Sequence, residues 1–235
     1  MAIDKNKVKA FWDARAQKLN EVSFESIANL EEDPRNLELK ISLETAKVFE
    51  YLGDVAGRSI VDIGAGVGQW SFRFFERRAS WVTAVEYSAE LADIGRREAT
   101  RRNAHNVEFV VSPAEDFQSK RAYDIVFVSG LFVYMNDDQA EKFAASLPAL
   151  CSPQTVVLLR DGTSILGHRH EIDNRKSEHL QAMYSATYRT RAQYLDLFTR
   201  NGFELRRDEN MFDESCPLNK YPETRLRIYH FTPRR

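Results

Sequence analysis

The sequence predicts an α/β sandwich in which helices cover both faces of a mostly parallel sheet. From Ser59 onward, short apolar runs rich in β-branched residues alternate with amphipathic helical segments. The first of these runs breaks into a glycine-rich turn, and two strand-like segments close the chain. With 235 residues, the chain is long enough for one such domain and too short for two.

Two helices are expected before the sheet begins. Val8, Phe11, Trp12 and Leu19 recur near helical spacing, which predicts an amphipathic helix that lies on the main domain. A second helix is expected over residues 36–52, and Asp33-Pro34 marks the joint between the two. We therefore divide the single predicted domain into a helical extension or lid, residues 1–55, and a core, residues 56–235.

The core is expected to alternate strands and helices in chain order. The segments are SIVDI, WSFRFFERRA, WVTAVEY, AELADIGRREATRRN, VEFVVS, YDIVFVS, DDQAEKFAASLPALC and TVVLLRD. A polar, aromatic-rich insert follows at about residues 162–190. The helix RAQYLDLFTRNG and the strands FELRRDE and TRLRIYHFT then complete the sheet.

The glycine-rich turn follows the first strand, within the segment SIVDIGAGVGQW. Glycine permits positive φ and lets a ligand approach the backbone without meeting a Cβ. A dinucleotide-binding fingerprint would place a third small residue at position 69, where this chain has Gln69. The glycine falls at Gly68 instead, so the pattern that begins at Asp62 is D-x-G-x-G-x-G.

This motif resembles the opening motif of the class I S-adenosylmethionine-dependent methyltransferases. The resemblance extends from about Lys47 to the C-terminus, since the closing helix, strand, loop and strand also fit that class. It implies a Rossmann-like fold with a seven-stranded sheet, whose last strand inserts antiparallel beside the sixth. It also implies S-adenosylmethionine as the cofactor.

Strand ends supply the predicted cofactor-binding residues. Glu86 ends the second strand about twenty residues past the glycines, where a carboxylate can accept hydrogen bonds from ribose hydroxyls. The resemblance places residues 114–115 around the adenine and residues 129–131 near the methionine moiety. The predicted cofactor-binding residues are Asp62, Gly64, Ala65, Gly66, Gly68, Trp70, Glu86, Tyr87, Ala114, Glu115, Ser129, Gly130 and Leu131.

The acceptor site is expected after the fifth strand, whose exit LLRDGTSILGHRHE is the most polar in the chain. For a hydroxyl acceptor a general base is needed, and Asp161 and His168 are the catalytic candidates. No metal is assigned to the His-x-His pair, because spacing alone reveals no further ligand. The predicted substrate-binding residues are Phe11, Trp12, Tyr134, Arg160, His170, Tyr184 and Tyr188.

Charge and composition limit the kinds of binding partner expected for this protein. The formal net charge of −2 provides no basic field for nucleic acid, and no segment has the apolar length of a membrane span, so we expect a cytoplasmic protein. The leading hypothesis is methylation of a hydroxyl on a small molecule or glycan, as in bacterial enzymes that modify sugars or natural products. N-methylation of an amine or peptide and a catalytically silent binding subunit stay as alternatives, and a homodimer is left open. Gln69 disfavours a nicotinamide oxidoreductase.

Overall fold

A computed structural model describes residues 3–29, 31, 33–177 and 182–234 of the chain. In these residues the main sheet has seven strands. They are β1 (Ser59–Ile63), β2 (Trp81–Glu86), β3 (Val107–Val111), β4 (Tyr123–Ser129), β5 (Cys151–Ser164), β8 (Phe203–Asn210) and β9 (Thr224–Pro233). Two further strands, β6 (His170–Ser177) and β7 (Ala182–Tyr188), form a separate antiparallel pair.

The order of strands across the main sheet is β3-β2-β1-β4-β5-β9-β8. Strands β1 to β5 pair in parallel, whereas β9 runs antiparallel between β5 and β8. This confirms the predicted fold, including the antiparallel insertion of the last strand. The predicted insert at about residues 162–190 contains the end of β5 and the β6–β7 pair.

Seven α-helices are present in the described residues. They are α1 (Lys5–Gln17), α2 (Phe24–Asn29), α3 (Pro34–Leu52), α4 (Gln69–Glu76), α5 (Ala89–Arg101), α6 (Asp137–Ser146) and α7 (Arg191–Arg200). Their starts follow ordinary capping chemistry, since Asp4 caps α1, Asp33 caps α3 with Pro34 in its first turn, and Ser88 caps α5. The short helix α2 between the two expected helices was not foreseen.

Apolar side chains fill the space on both faces of the main sheet. One cluster contains Phe72, Phe74 and Phe127, and the other contains Phe132 and Phe198, all of them fully buried. Strands covered on both faces are continuous apolar runs, as β1 and β4 are here. The edge at the carboxyl ends of the parallel strands is thereby held rigid, and the functional site lies there.

Candidate active site

A cavity of about 1070 Å³ opens at the carboxyl ends of β1, β2, β4 and β5. Ligands of open α/β sheets bind at this edge, near the point where the strand order reverses. The wall opposite the sheet comes from α1, the end of α2, and the segment between β8 and β9. Polar strand ends therefore face a space enclosed by distant parts of the chain.

The glycine turn between β1 and α4 forms one wall of the cavity. Gly64 and Ala65 both donate their backbone N–H groups to the carbonyl of Val85, at 2.9 and 3.0 Å. Gly66 donates its N–H to Glu86 Oε2 at 2.8 Å. A phosphate-binding turn needs such N–H groups pointing at the ligand, whereas these three donate to acceptors within the protein. The turn thus offers bare backbone for close contact without a phosphate site.

Gly68 has a packing role in this structure. It lies outside the cavity lining at φ +88°, and a Cβ there would approach Phe109 Cζ to 2.4 Å. The residue therefore allows α4 to begin close against β3. The aromatic ring occupies the space beside Gly68, and the cofactor contact of this residue stays a prediction.

Asp62 lies beneath the turn and also outside the cavity lining. Its side chain is buried, and Oδ2 accepts a hydrogen bond from Ser71 Oγ at 2.7 Å. Oδ1 is buried and has no partner among the described residues. Burial raises the pKa of this carboxyl to about 7. Asp62 therefore lies under the turn, and its cofactor contact stays a prediction.

Glu86 and Tyr87 line the cavity at the end of β2, as predicted. Glu86 accepts hydrogen bonds from the N–H groups of Gly66 and Ser88, at 2.8 and 2.9 Å, and burial raises the pKa of its carboxyl. The Tyr87 hydroxyl is buried without a partner among the described residues. Because an unpaired buried hydroxyl is unfavourable, a polar ligand fits here.

The remaining predicted cofactor positions also lie on the cavity wall. Ala114 and Glu115 line it after β3, and Glu115 accepts a hydrogen bond from Gln139 Nε2 at 2.8 Å. Ser129, Gly130 and Leu131 line it after β4. Trp70 reaches the cavity but belongs mainly to the core, since it is buried against Phe74 and Phe127.

Aromatic side chains from three elements form a second wall of the cavity. The rings of Trp12 and Tyr134 lie 5.5 Å apart in an edge contact, and those of Tyr134 and Tyr184 lie 6.0 Å apart. The hydroxyls of Tyr184 and Tyr188 are within 3.1 Å of each other. Burial raises the pKa of all three tyrosines, so their hydroxyls stay neutral. The sequence predicted each of these residues at the acceptor site.

Phe11 supports this aromatic wall from outside. It is absent from the cavity lining and makes edge contacts with Trp12 and Tyr184, with ring centroids at 5.2 and 6.2 Å. Its place on α1 explains the difference, because consecutive residues of a helix point about 100° apart. Phe11 thus lies behind Trp12, and its contact with the acceptor stays a prediction.

The two catalytic candidates occupy very different environments. Asp161 lines the cavity, and its oxygens accept the N–H groups of Leu131, Phe132 and Gly162 at 2.7–3.0 Å. Burial raises its pKa to about 6, although these N–H groups oppose the shift. With both oxygens so engaged, Asp161 positions the loop after β4.

His168 is exposed in the loop before β6 and lies outside the cavity lining. The structure thus places His168 away from the cavity wall, and its catalytic role stays a prediction. His170, at the start of β6, does line the cavity, with its ring 5.9 Å from that of Tyr188. In the described residues, no group of three or more His, Cys, Asp or Glu side chains is arranged to hold a metal ion.

The cavity wall also contains one more predicted residue, Arg160, and several residues that were not foreseen from the sequence. Arg160, predicted to bind substrate, lines the cavity and forms a buried ion pair with Glu44 of α3, which ties that helix to β5. Lys40 lies one turn earlier on the same helix and lines the cavity as well. Further lining comes from the segment between β8 and β9 and from the start of β9, with Phe212, Leu218, Asn219, Lys220, Tyr221 and Glu223 in the segment and Thr224, Arg225 and Leu226 in the strand.

Comparison with known proteins agrees with this geometry. Residues 60–154, from β1 into β5, match the family described as methyltransferase domain. Structures that share the fold include complexes with S-adenosylhomocysteine and S-adenosylmethionine. The chain therefore shares the fold of these S-adenosylmethionine-binding structures, and part of it matches a methyltransferase domain. The cavity fits this cofactor, since its wall combines the bare glycine turn, the Glu86 carboxylate and the unpaired Tyr87 hydroxyl.

Two solved structures show how widely the methyltransferase fold is shared. The complex of DhpI with S-adenosylhomocysteine covers 97% of this chain and 96% of its own, at 20% identity and a TM-score of 0.67. The Burkholderia thailandensis 1,6-didemethyltoxoflavin-N1-methyltransferase covers 100% and 93%, at 17% identity and a TM-score of 0.67. These likenesses span the N-terminal helices as well as the sheet.

A curated relative is phosphoethanolamine N-methyltransferase 1 of Caenorhabditis elegans, which is 26% identical over 159 residues. The match covers 66% of this chain and 31% of the relative, so the chain spans about a third of that protein's length. Within the described residues, no helix has both the length and the apolar character needed to cross a membrane.

Proposed function

We propose that this protein transfers the methyl group of S-adenosylmethionine to a hydroxyl of a small molecule or glycan. The observation that carries the proposal is the shape of the cavity. Its volume of about 1070 Å³ is at the upper end of the usual range for one ligand, and it has two distinct walls. The glycine turn and Glu86 suit the cofactor, which leaves the aromatic wall for a second molecule.

The chemistry asks little of the side chains. S-adenosylmethionine supplies an activated methyl group on a sulfonium, so the protein must align the acceptor, exclude water and accept a proton. Trp12, Tyr134 and Tyr184 exclude water along the aromatic wall. Among the described lining residues, His170 is the only imidazole, and its ring can take the proton of a hydroxyl. His170 thus replaces His168 as the proposed general base.

Nitrogen is the second candidate acceptor atom. The curated relative is named for N-methylation of phosphoethanolamine, and one solved relative is named as an N1-methyltransferase. An aromatic wall beside a carboxylate also suits an amine, because a cation is attracted to ring faces and to Asp161. A neutral amine needs no base, so dependence on His170 separates the two candidates.

We further propose that residues 1–55 act as a lid over the cavity. Lys5, Val8 and Trp12 of α1 line its outer wall. The same helix is held to the core by a hydrogen bond from Ser88 Oγ to Asp13 Oδ1 at 2.7 Å. Because Ser88 lies two residues after the end of β2, opening of α1 would expose the place where Glu86 faces the cavity.

Isothermal titration with S-adenosylhomocysteine and, separately, with NAD tests the cofactor assignment. We expect binding of the first and none of the second, because the N–H groups of the glycine turn are already bonded internally. Transfer of a radiolabelled methyl group to a panel of sugars, phenols and amines then identifies the acceptor. Binding of NAD, or no binding of S-adenosylhomocysteine, would contradict the proposed function.

A further inference from the structure

Basic side chains gather along one wall of the cavity, where α3, β5, the segment before β9 and the start of β9 meet. Lys40, Arg160, Lys220 and Arg225 all line this wall. Cations beside an apolar surface are unfavourable unless an anion compensates them. The partners of each cation therefore indicate whether the wall is complete without a ligand.

Three of the four cations have carboxylate partners within the protein. Arg160 pairs with Glu44, and Lys220 pairs with Glu31 at 2.5 Å. Arg225 pairs with Glu214, with nitrogen to oxygen distances of 3.0 and 3.2 Å. These pairs hold the wall together, and each pair has a net charge of zero.

Lys40 differs from the other three. Its Nζ donates one hydrogen bond, to the carbonyl oxygen of Asn29 at 2.7 Å. In the part of the chain that the structure describes, it forms no ion pair within 4.0 Å. An ammonium has three N–H donors, so two remain for a ligand.

The surroundings of Lys40 destabilise its charge. Burial lowers the pKa of its ammonium, and the positive charges of Arg160 and Lys220 lower it further. The carboxylates of Glu44 and Glu31 act in the opposite direction and raise it. A bound anion would reverse this by supplying a charge-assisted hydrogen bond.

Lys40 also lies close to the cofactor end of the cavity. Asn29, which accepts from Lys40, donates through Nδ2 to Gln69 Oε1 at 3.2 Å. Gln69 begins α4 directly after the glycine turn, and it lines the cavity. A molecule seated against the turn therefore has Lys40 at its edge.

We propose that Lys40 is the anion-binding residue of this cavity and that its ligand is a carboxylate or phosphate group. The group belongs either to the amino-acid end of the cofactor or to the acceptor. The inference rests on the proposed function, because it assumes that cofactor and acceptor share the cavity. Lys40 acts as a binding residue here and takes no part in proton transfer.

The test compares the wild type with Lys40→Met, with Lys40→Gln as a second neutral variant and Lys40→Arg as the rescue. Lys47→Met is the matched control, since Lys47 is on the same helix, pairs with Glu209 at 3.2 Å and lies outside the cavity lining. Each protein is titrated with S-adenosylhomocysteine, with 5′-methylthioadenosine, which lacks the carboxylate, and with inorganic phosphate. Circular dichroism checks that each variant is folded.

If Lys40 holds the cofactor carboxylate, its neutral variants bind S-adenosylhomocysteine about ten- to a hundredfold more weakly and methylthioadenosine as the wild type does. If it holds the acceptor's anion, S-adenosylhomocysteine binding is unchanged and phosphate binding to the cofactor-loaded protein is lost. Equal binding of all three probes by wild type and variants would overturn the inference, as would an equal loss of S-adenosylhomocysteine and methylthioadenosine. Failure of the wild type to bind S-adenosylhomocysteine would instead refute the proposed function, and phosphate binding would still decide the role of Lys40.

Discussion

The carboxylate of Glu86 accepts the backbone N–H of Gly66, with 2.8 Å between Glu86 Oε2 and the nitrogen. The bond joins the end of β2 to the glycine turn after β1 before any ligand is bound. The other carboxylate oxygen of Glu86 accepts the N–H of Ser88, at the start of α5. One buried side chain thus sets the positions of two loops at the cofactor end of the cavity.

Glu86→Ala is expected to weaken S-adenosylhomocysteine binding about ten- to a hundredfold, because the charge-assisted acceptor for the ribose is lost. It should also lower the free energy of unfolding by about 1–3 kcal/mol for each N–H left unsatisfied. Titration calorimetry and urea unfolding measure the two effects. Glu108→Ala on the exposed face of β3 is the control. Unchanged affinity in Glu86→Ala would show that Glu86 does not bind the ribose.

Gly66→Ala and Gly68→Ala should fail for different reasons. Gly66 has φ +57° and a Cβ there would lie 3.1 Å from Ala28 Cβ, so we expect weaker S-adenosylhomocysteine binding as the lid and turn shift apart. At Gly68 the added Cβ meets the Phe109 ring, so we expect a lower melting temperature and nearly normal affinity of the folded protein.

The control for these glycine variants is Gly167→Ala, which has φ +76° and open space around its Cβ. It should show only the backbone strain of about 1–2 kcal/mol. Equal loss of affinity in Gly66→Ala and Gly68→Ala would show that the two glycines share one role, contrary to their placement in the structure.

His170→Ala should lower kcat by about 10²–10⁴-fold for a hydroxyl acceptor, the usual range for general base catalysis. S-adenosylhomocysteine affinity should stay the same, because His170 lies on the acceptor side. His168→Ala is the matched control, only two residues away but exposed, and should retain full activity. The acceptor found in the methyl-transfer screen provides the assay. Equal activity of the two variants would favour an amine acceptor.

Asp62 should make the stability of the protein depend on pH. Its folded-state pKa of about 7 lies above the ordinary value of 3.8, so the folded state holds the proton more tightly than the unfolded chain. The resulting stabilisation is complete below the unfolded pKa and is lost as the pH rises to about 7, at up to about 1.4 kcal/mol per pH unit. Asp62→Asn removes this contribution. Urea unfolding between acidic and neutral pH should therefore give a flatter profile for the variant, and parallel profiles would contradict the assignment.

Trp12→Ala should raise KM for the acceptor by removing the part of the aromatic wall that comes from α1. The ring of Trp12 contacts that of Tyr134 within the same wall, so its loss also admits water. Phe11→Ala is the comparison, since Phe11 supports the wall without lining the cavity. Steady-state kinetics should show the larger change for Trp12. A larger effect of Phe11 would place the acceptor outside this wall.

Much of the fold follows from local patterns in the sequence. Runs such as SIVDI and YDIVFVS predict buried parallel strands, and the glycine spacing after Asp62 predicts the turn that faces the ligand. Glu86 was predicted at the cavity because a strand end is a local feature, and all parallel strands end at the same edge. The sequence by itself therefore determined the sheet and the ligand edge, and it predicted the class of cofactor.

Tertiary structure alone decided which distant residues complete the site. Glu44 and Arg160 are 116 residues apart in sequence, and the contact between them brings α3 and Lys40 to the cavity. His168 and His170 are only two residues apart, and no local motif distinguishes them. Only His170 lies at the start of β6 and lines the cavity. Gly68 meets Phe109 only when α4 packs against β3. Sequence periodicity indicates which residues share a face of one helix or strand. Contacts between distant elements depend on how those elements pack in the tertiary structure.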